Sequence, residues 1–194
     1  ENITPKINNI KVGPYNDETT DMGPVVSKDA YERINSLIDS GVEEGANLIV
    51  DRRNIKLQGY ENGYFIGPCL FDNVKDNMKI YKEEIFGPVL SIVRAKNYEE
   101  GLQLVKDNPY GNGCSIFTRD GDTARNFSSE ANIGMVGVNI PIPVPVAYFS
   151  FGGWKNSIFG GHNAYGMEAI RFYTHTKTIT SKWPEGIRSG AQFT

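Results

Sequence analysis

Between Val89 and Asn139 the chain alternates apolar runs with capped, amphipathic stretches, and this alternation most narrows the folds open to it. Val89-Leu90-Ser91-Ile92-Val93 is a nearly continuous apolar run, the pattern of a strand buried on both faces. A helix follows at once. Asn97 and Glu100 form a capping-box-like pair, Tyr98, Leu102 and Val105 recur on one face, and Asn108-Pro109 ends it. Gly113 to Phe117 reads as the next strand, Gly121 to Glu130 as a helix opening beyond Asp120, and Met135 to Asn139 as a third strand. Strand, helix, strand, helix, strand in that order favours parallel pairing through crossovers. The spacing therefore predicts an α/β fold, a mostly parallel sheet with helices on both faces.

The flanking stretches add less regular pieces. Residues 1–24 are polar and turn-rich, and the start, Glu1-Asn2-Ile3-Thr4-Pro5, carries no signal-peptide pattern and reads as a cut end. Asp21-Met22-Gly23-Pro24 leads into a helix that Ser27 is placed to cap, with Tyr31, Ile34, Leu37 and Ile38 at helical spacing and Ser40-Gly41 as its exit. Asn47-Leu48-Ile49-Val50 reads as a strand and Gly59 to Phe71 as another extended piece. Prolines 141, 143 and 145 fix φ and remove donors, so 141–145 is predicted to be a loop outside any central ladder. Ser150 to Gly166 is rich in glycine and aromatics without periodicity, and a loop of that length in a compact domain is often functional. A short helix around Met167 to Phe172 precedes the β-prone Thr176 to Ser181, and from Pro184 onward a partly ordered tail is expected.

Bulk composition excludes several classes. With 194 residues, 39% hydrophobic and 22% charged, the chain can bury one sizeable core. A net charge of −3 does not advertise the basic face that phosphate backbones require, so no nucleic-acid partner is expected. The most apolar stretch, Gly134 to Phe149, is broken by Asn139 and three prolines and is a poor membrane span. The two cysteines, Cys69 and Cys114, lie far apart, which offers neither a disulfide framework nor a zinc site and points to a reducing compartment. Neither His162 nor His175 has metal-ligand spacing.

One stretch reads as a site: Tyr81-Lys82-Glu83-Glu84-Ile85-Phe86-Gly87-Pro88-Val89-Leu90. Gly87 is read as taking backbone angles closed to other residues, and Pro88 as fixing φ. Glu84 and Phe86 would then sit on a short, stiff approach to the following strand. A carboxylate held there suits the paired hydroxyls of a ribose, and the ring supplies a flat apolar wall. The alternative is that Glu83 and Glu84 are solvated charges at a strand entrance while Phe86 belongs to the core.

The stretch resembles the Glu-Ile-Phe-Gly-Pro motif of the NAD(P)-dependent aldehyde dehydrogenase superfamily, and other segments match in that superfamily's order. They are Gly63-Tyr64-Phe65-Ile66-Gly67-Pro68, Asn108-Pro109-Tyr110-Gly111, Phe151-Gly152-Gly153-Trp154-Lys155-Asn156-Ser157 and Phe172-Tyr173-Thr174-His175-Thr176-Lys177-Thr178. Val138-Asn139-Ile140-Pro141-Ile142-Pro143-Val144-Pro145 with Phe149-Ser150-Phe151-Gly152, and the ending Thr178 to Trp183, are most similar to its CoA-acylating branch, which acts on malonate and methylmalonate semialdehyde. The similarity runs from about Ile10 to Trp183 and covers only the later part of such an enzyme.

The resemblance implies NAD as cofactor, coenzyme A as co-substrate, a small aldehyde as substrate and a homo-oligomer, dimer or tetramer. The compartment would be the cytoplasm, or the mitochondrial matrix in a eukaryote. Residues 1–170 would be the later part of the catalytic domain, 171–183 a strand joining a neighbouring subunit's sheet, and 184–194 a tail. Glu84 would bind the ribose next to nicotinamide, with Phe86 packed beside it, and Phe151 would line the substrate entrance. Asn139 is a weaker ligand candidate because it ends a strand, and its side chain has an alternative use in satisfying loop backbone. The nucleophilic cysteine and the phosphate-binding half would lie upstream of everything matched, so neither Cys69 nor Cys114 is assigned catalysis. The chain alone is expected to be inactive.

Overall fold

Ser27 opens the first long helix as expected. In the computed structural model, which describes residues 2–183, its hydroxyl accepts a hydrogen bond from the Ala30 amide at 3.2 Å, and α2 runs Lys28–Glu43. The chain divides into two compact units, one ending at Leu104 and the other beginning at Val105.

In the first unit the strands are β1 (Asn47–Val50), β2 (Cys69–Val74) and β3 (Val89–Val93), with short helices α1 (Ile3–Asn9) and α3 (Lys79–Lys82). β2 is central, antiparallel to β1 and parallel to β3. Its side chains alternate between two cores. Cys69 and Phe71 pack with Ile34, Leu37 and Ile38 of α2, while Leu70 packs with Val50, Ile92 and Ile7 of α1. Helices thus cover both faces of this small sheet. Phe71, Ile34 and Ile38 are fully buried, and burial of each such side chain contributes about 1.5–3 kcal/mol. α2 comes close to the sheet at Gly41, where an added Cβ would lie 2.8 Å from Ile80 and 3.1 Å from the Phe71 ring.

Three sequence expectations change here. Residues 1–24 are not all turns: α1 forms around a single buried side chain, Ile7, and the Arg52 guanidinium closes it by donating to the carbonyls of Ile7 and Ile10 at 2.9 and 3.0 Å. The extended piece becomes a strand only at Cys69 and continues to Val74. β3 is not buried on both faces. It is the edge of its sheet, and Leu90 is 45% exposed.

α4 (Tyr98–Asp107) carries the expected capping pair: Asn97 Oδ1 accepts from the Glu100 amide at 2.9 Å, and Glu100 Oε2 from the Lys96 amide at 2.8 Å. In the second unit, β5 (Gly113–Ile116) and β6 (Met135–Val138) pair in parallel across α5 (Gly121–Glu130), as the strand-helix-strand spacing predicts. Asp120 caps α5 through the Thr123 amide at 2.6 Å. β4 (Tyr110–Gly111) pairs antiparallel with β7 (Trp154–Lys155), a two-residue strand inside the stretch read as loop. The strands among the described residues therefore fall into three small sheets, where the spacing predicts one. Residues 141–145 are loop. α6 (Met167–Tyr173) takes up residues 171–173, and 174–183 carry no regular structure and are exposed. The expected tail, 184–194, lies outside the described residues. Among the described residues no helix is long and apolar enough to cross a membrane.

Candidate cofactor-binding site

The Glu84 segment leaves α3 at Glu83, whose backbone is extended, and enters β3 at Val89. Between them the chain alternates sharply. Ile85 is sunk in the larger core, whereas Glu84 is exposed and Phe86 is 77% exposed. The Glu84 carboxylate has no hydrogen bond or ion pair among the described residues, while neighbouring Glu83 lies 4.0 Å from Lys79. The core alternative for Phe86 therefore does not hold in this chain.

The backbone explains how the pair is presented. Phe86, not Gly87, adopts the left-handed conformation, with φ 49°. A bulky residue held there costs about 1–3 kcal/mol and persists only where its surroundings over-determine it. Gly87 serves close approach instead: an added Cβ would lie 2.7 and 2.9 Å from the Cδ1 and Cγ1 atoms of Ile34. Beside it, Arg33 Nη1 donates to the Glu84 carbonyl at 3.2 Å and Nη2 to the Ile85 carbonyl at 2.7 Å. Pro88 then carries the chain into the sheet, its carbonyl accepting from the Cys69 amide at 2.9 Å. Arg33 was invisible to sequence reasoning. Its one signal is its place beside Ile34 in the apolar stripe of α2, and 51 residues separate it from Glu84.

An unpaired, acceptor-only carboxylate next to a flat exposed ring fits one sugar with two free hydroxyls. A pyrophosphate has no comparable seat, since no glycine-rich turn joins a strand to a helix among the described residues.

The remaining candidates lie in the second unit. Phe151 is half-buried, its ring centroid 5.5 Å from that of Tyr165, and it lines a cavity of about 370 Å³ with His162, Asn163, Phe172 and Tyr173. His162 Nδ1 is 2.7 Å from Glu168 Oε2, and Arg171 also bonds Glu168. These contacts, His162 first, hold the Glu168 carboxyl below its usual range. Asn139 directly follows β6 with φ 57°, and both polar atoms of its side-chain amide bond the backbone of Thr118.

Neither thiol has the environment of a nucleophile. Cys69 is buried, with its sulfur 3.7 Å from an Asp51 carboxylate oxygen, and burial pushes its thiol up. Cys114 is half-buried on β5, and burial raises its thiol too. Among the described residues no group of histidine, cysteine and carboxylate side chains is placed to hold a metal ion.

Residues 1–179 match the aldehyde dehydrogenase family. A malonate-semialdehyde dehydrogenase from Pseudomonas aeruginosa is 54% identical over 183 residues, 94% of this chain and 37% of that protein. Two solved structures superpose closely. A Sinorhizobium meliloti 1021 protein assigned as a methylmalonate-semialdehyde dehydrogenase, crystallised with NAD, is 64% identical with a TM-score of 0.93, over 96% of this chain and 38% of the other. The methylmalonate-semialdehyde dehydrogenase of Oceanimonas doudoroffii is 48% identical with a TM-score of 0.92, over 95% and 38%. The chain thus spans little more than a third of the length of these relatives.

Proposed function

The chain belongs to the aldehyde dehydrogenase family, and from that membership we propose that it is the later portion of an NAD-dependent, CoA-acylating dehydrogenase of malonate and methylmalonate semialdehyde. The observation that carries the site is the free, exposed Glu84 carboxylate beside the left-handed, exposed Phe86. Glu84 accepts hydrogen bonds from the two hydroxyls of the ribose next to nicotinamide. Phe86 covers one side of that sugar with an apolar surface and keeps water from it. NAD, when bound, accepts the hydride of the aldehyde carbon. The overall reaction joins semialdehyde, CoA and NAD to give acetyl-CoA or propanoyl-CoA, carbon dioxide and NADH.

The nucleophilic thiol and the pyrophosphate seat come from outside these residues, because Cys69 is buried, Cys114 is half-buried, and burial raises both thiols. The chain by itself is therefore inactive. Its surface is consistent with the same reading: the large apolar side chains Phe117, Tyr148, Phe159, Tyr173 and Trp183 are all mostly exposed and open to contact with the rest of the proposed enzyme. In the proposed enzyme, Phe151 lines the approach of the aldehyde, and residues 174–183 pair with a neighbouring subunit in a dimer or tetramer.

The test is NADH formation from malonate semialdehyde by the full-length protein, with and without CoA, for wild type and E84Q. Strict CoA dependence and a weakened NAD response in E84Q are expected. Equal turnover without CoA would favour a hydrolytic aldehyde dehydrogenase that releases the free acid. Unchanged NAD affinity in E84Q would remove the site assignment.

A further inference from the structure

An exposed carboxylate cannot fix its own position, and the stretch from Glu83 to Pro88 has no regular structure to fix it. Three contacts hold the backbone there: Ile85 in the core, Gly87 against Ile34, and the Arg33 guanidinium on the carbonyls of Glu84 and Ile85. We propose that Arg33 is a positioning residue for cofactor binding, which sets the direction of Glu84 and Phe86 through their main chain; this rests on the assignment of Glu84 to the nicotinamide-side ribose.

The geometry is specific to an arginine. In an extended strand, successive carbonyls point to opposite sides. Two consecutive ones reached by one planar fork mean that the chain is turned at Ile85, and the fork keeps it turned. The turn is followed at once by Phe86 in its left-handed conformation, the strained residue whose ring faces outward. Arg33 has no carboxylate partner among the described residues, so its donors serve this backbone. It comes from the same turn of α2 as Ile34, which is fully buried beneath Gly87. One helical turn therefore templates the segment twice, once by packing and once by hydrogen bonding. A lysine offers a single ammonium and cannot reproduce the fork.

The test is a double-mutant cycle in the full-length protein, with R33M, R33K, E84Q and R33M/E84Q compared by NAD dissociation constant and by kcat. Loss of two charged hydrogen bonds acting through position is expected to weaken NAD about five- to tenfold in R33M, with R33K between it and wild type. In the E84Q background the same change is expected to add less than about twofold, because the group being positioned is gone. Should R33M fail to fold, R33K carries the same comparison. If E84Q weakens NAD while the Arg33 variants do not, positioning is overturned and the Glu84 assignment stands. An equal factor in both backgrounds also overturns it, since Arg33 would then act on the fold at large. NAD affinity untouched by E84Q removes the Glu84 assignment, and with it this proposal.

Discussion

The side-chain amide of Asn139 exchanges two hydrogen bonds with the main chain of Thr118: Oδ1 accepts from the Thr118 amide at 2.9 Å, and Nδ2 donates to its carbonyl at 3.0 Å. With its own amide bonded to the Ile116 carbonyl at 2.8 Å, Asn139 extends the pairing of β5 and β6 by one step while its backbone turns left-handed. Asparagine tolerates that conformation and alanine does not. N139A is expected to destabilise the full-length protein by about 1–3 kcal/mol, from two lost hydrogen bonds plus backbone strain. N139G relieves the strain but still lacks the bonds, so it falls between N139A and wild type. Urea unfolding gives the order, and an N139G variant as stable as wild type would show that the Thr118 bonds contribute nothing.

Gly87 makes a separate prediction because its role is steric. Its φ is ordinary, and an added methyl would press on the whole side chain of Ile34, which is fully buried and has nowhere to move. G87A is expected to cost about 1–3 kcal/mol of stability, the usual range for overpacking. Pairing it with I34V, which frees volume at the point of contact, should recover part of the loss. A G87A variant with an unchanged unfolding midpoint would count against the close approach.

Local signals were legible in the sequence and distant ones were not. Ser27, Asn97 and Asp120 each cap a helix through a hydrogen bond to an amide three residues on, so a window of four residues suffices to find them. The parallel pairing of β5 and β6 followed from the helix between them. α1 escaped because it buries one side chain and is closed by Arg52, more than 40 residues away. β7 escaped because two residues have no period. Within the site, the motif names Glu84 and Phe86, but sequence alone places the angles closed to other residues at Gly87, because glycine usually takes them. Only packing against Ile34 shows why the glycine is needed elsewhere and the strain falls on Phe86.

Lys155 sits on β7 with φ 53° and sends its ammonium to three carbonyls where α4 ends: Val105 at 3.0 Å, Lys106 at 3.0 Å and Asn108 at 2.9 Å. A cation there meets both the unpaired carbonyls and the negative end of the helix. K155M keeps the apolar stem and removes every donor, so it is expected to cost about 2–3 kcal/mol, more than a typical surface substitution. Arginine is not a substitute, because its flat fork cannot enter a site built for three converging bonds to one atom. Thermal unfolding of K155M and K155R checks this, and an unchanged midpoint in either variant would sink it.

Asp72 and Arg94 tie the ends of β2 and β3 together, with Nε and Nη2 of Arg94 donating to the two carboxylate oxygens at 2.8 and 2.7 Å. Those bonds, then the Asn73 amide, lower the Asp72 carboxyl from 3.8 to about 2. The folded value lies below the unfolded one. The stabilisation is therefore complete above about pH 4 and is lost as pH falls through the folded value near 2. Both groups are accessible to water, so salt screens the pair and the effect is small. The expected sign is nonetheless definite. D72N should be less stable than wild type at pH 6, and the gap should narrow steadily below about pH 4, with most of it gone at pH 2, and shrink in about 1 M salt. Unfolding midpoints of the two proteins across that range are the measurement, and a gap that stays constant with pH would mean the charge of Asp72 is not what holds the strand ends together.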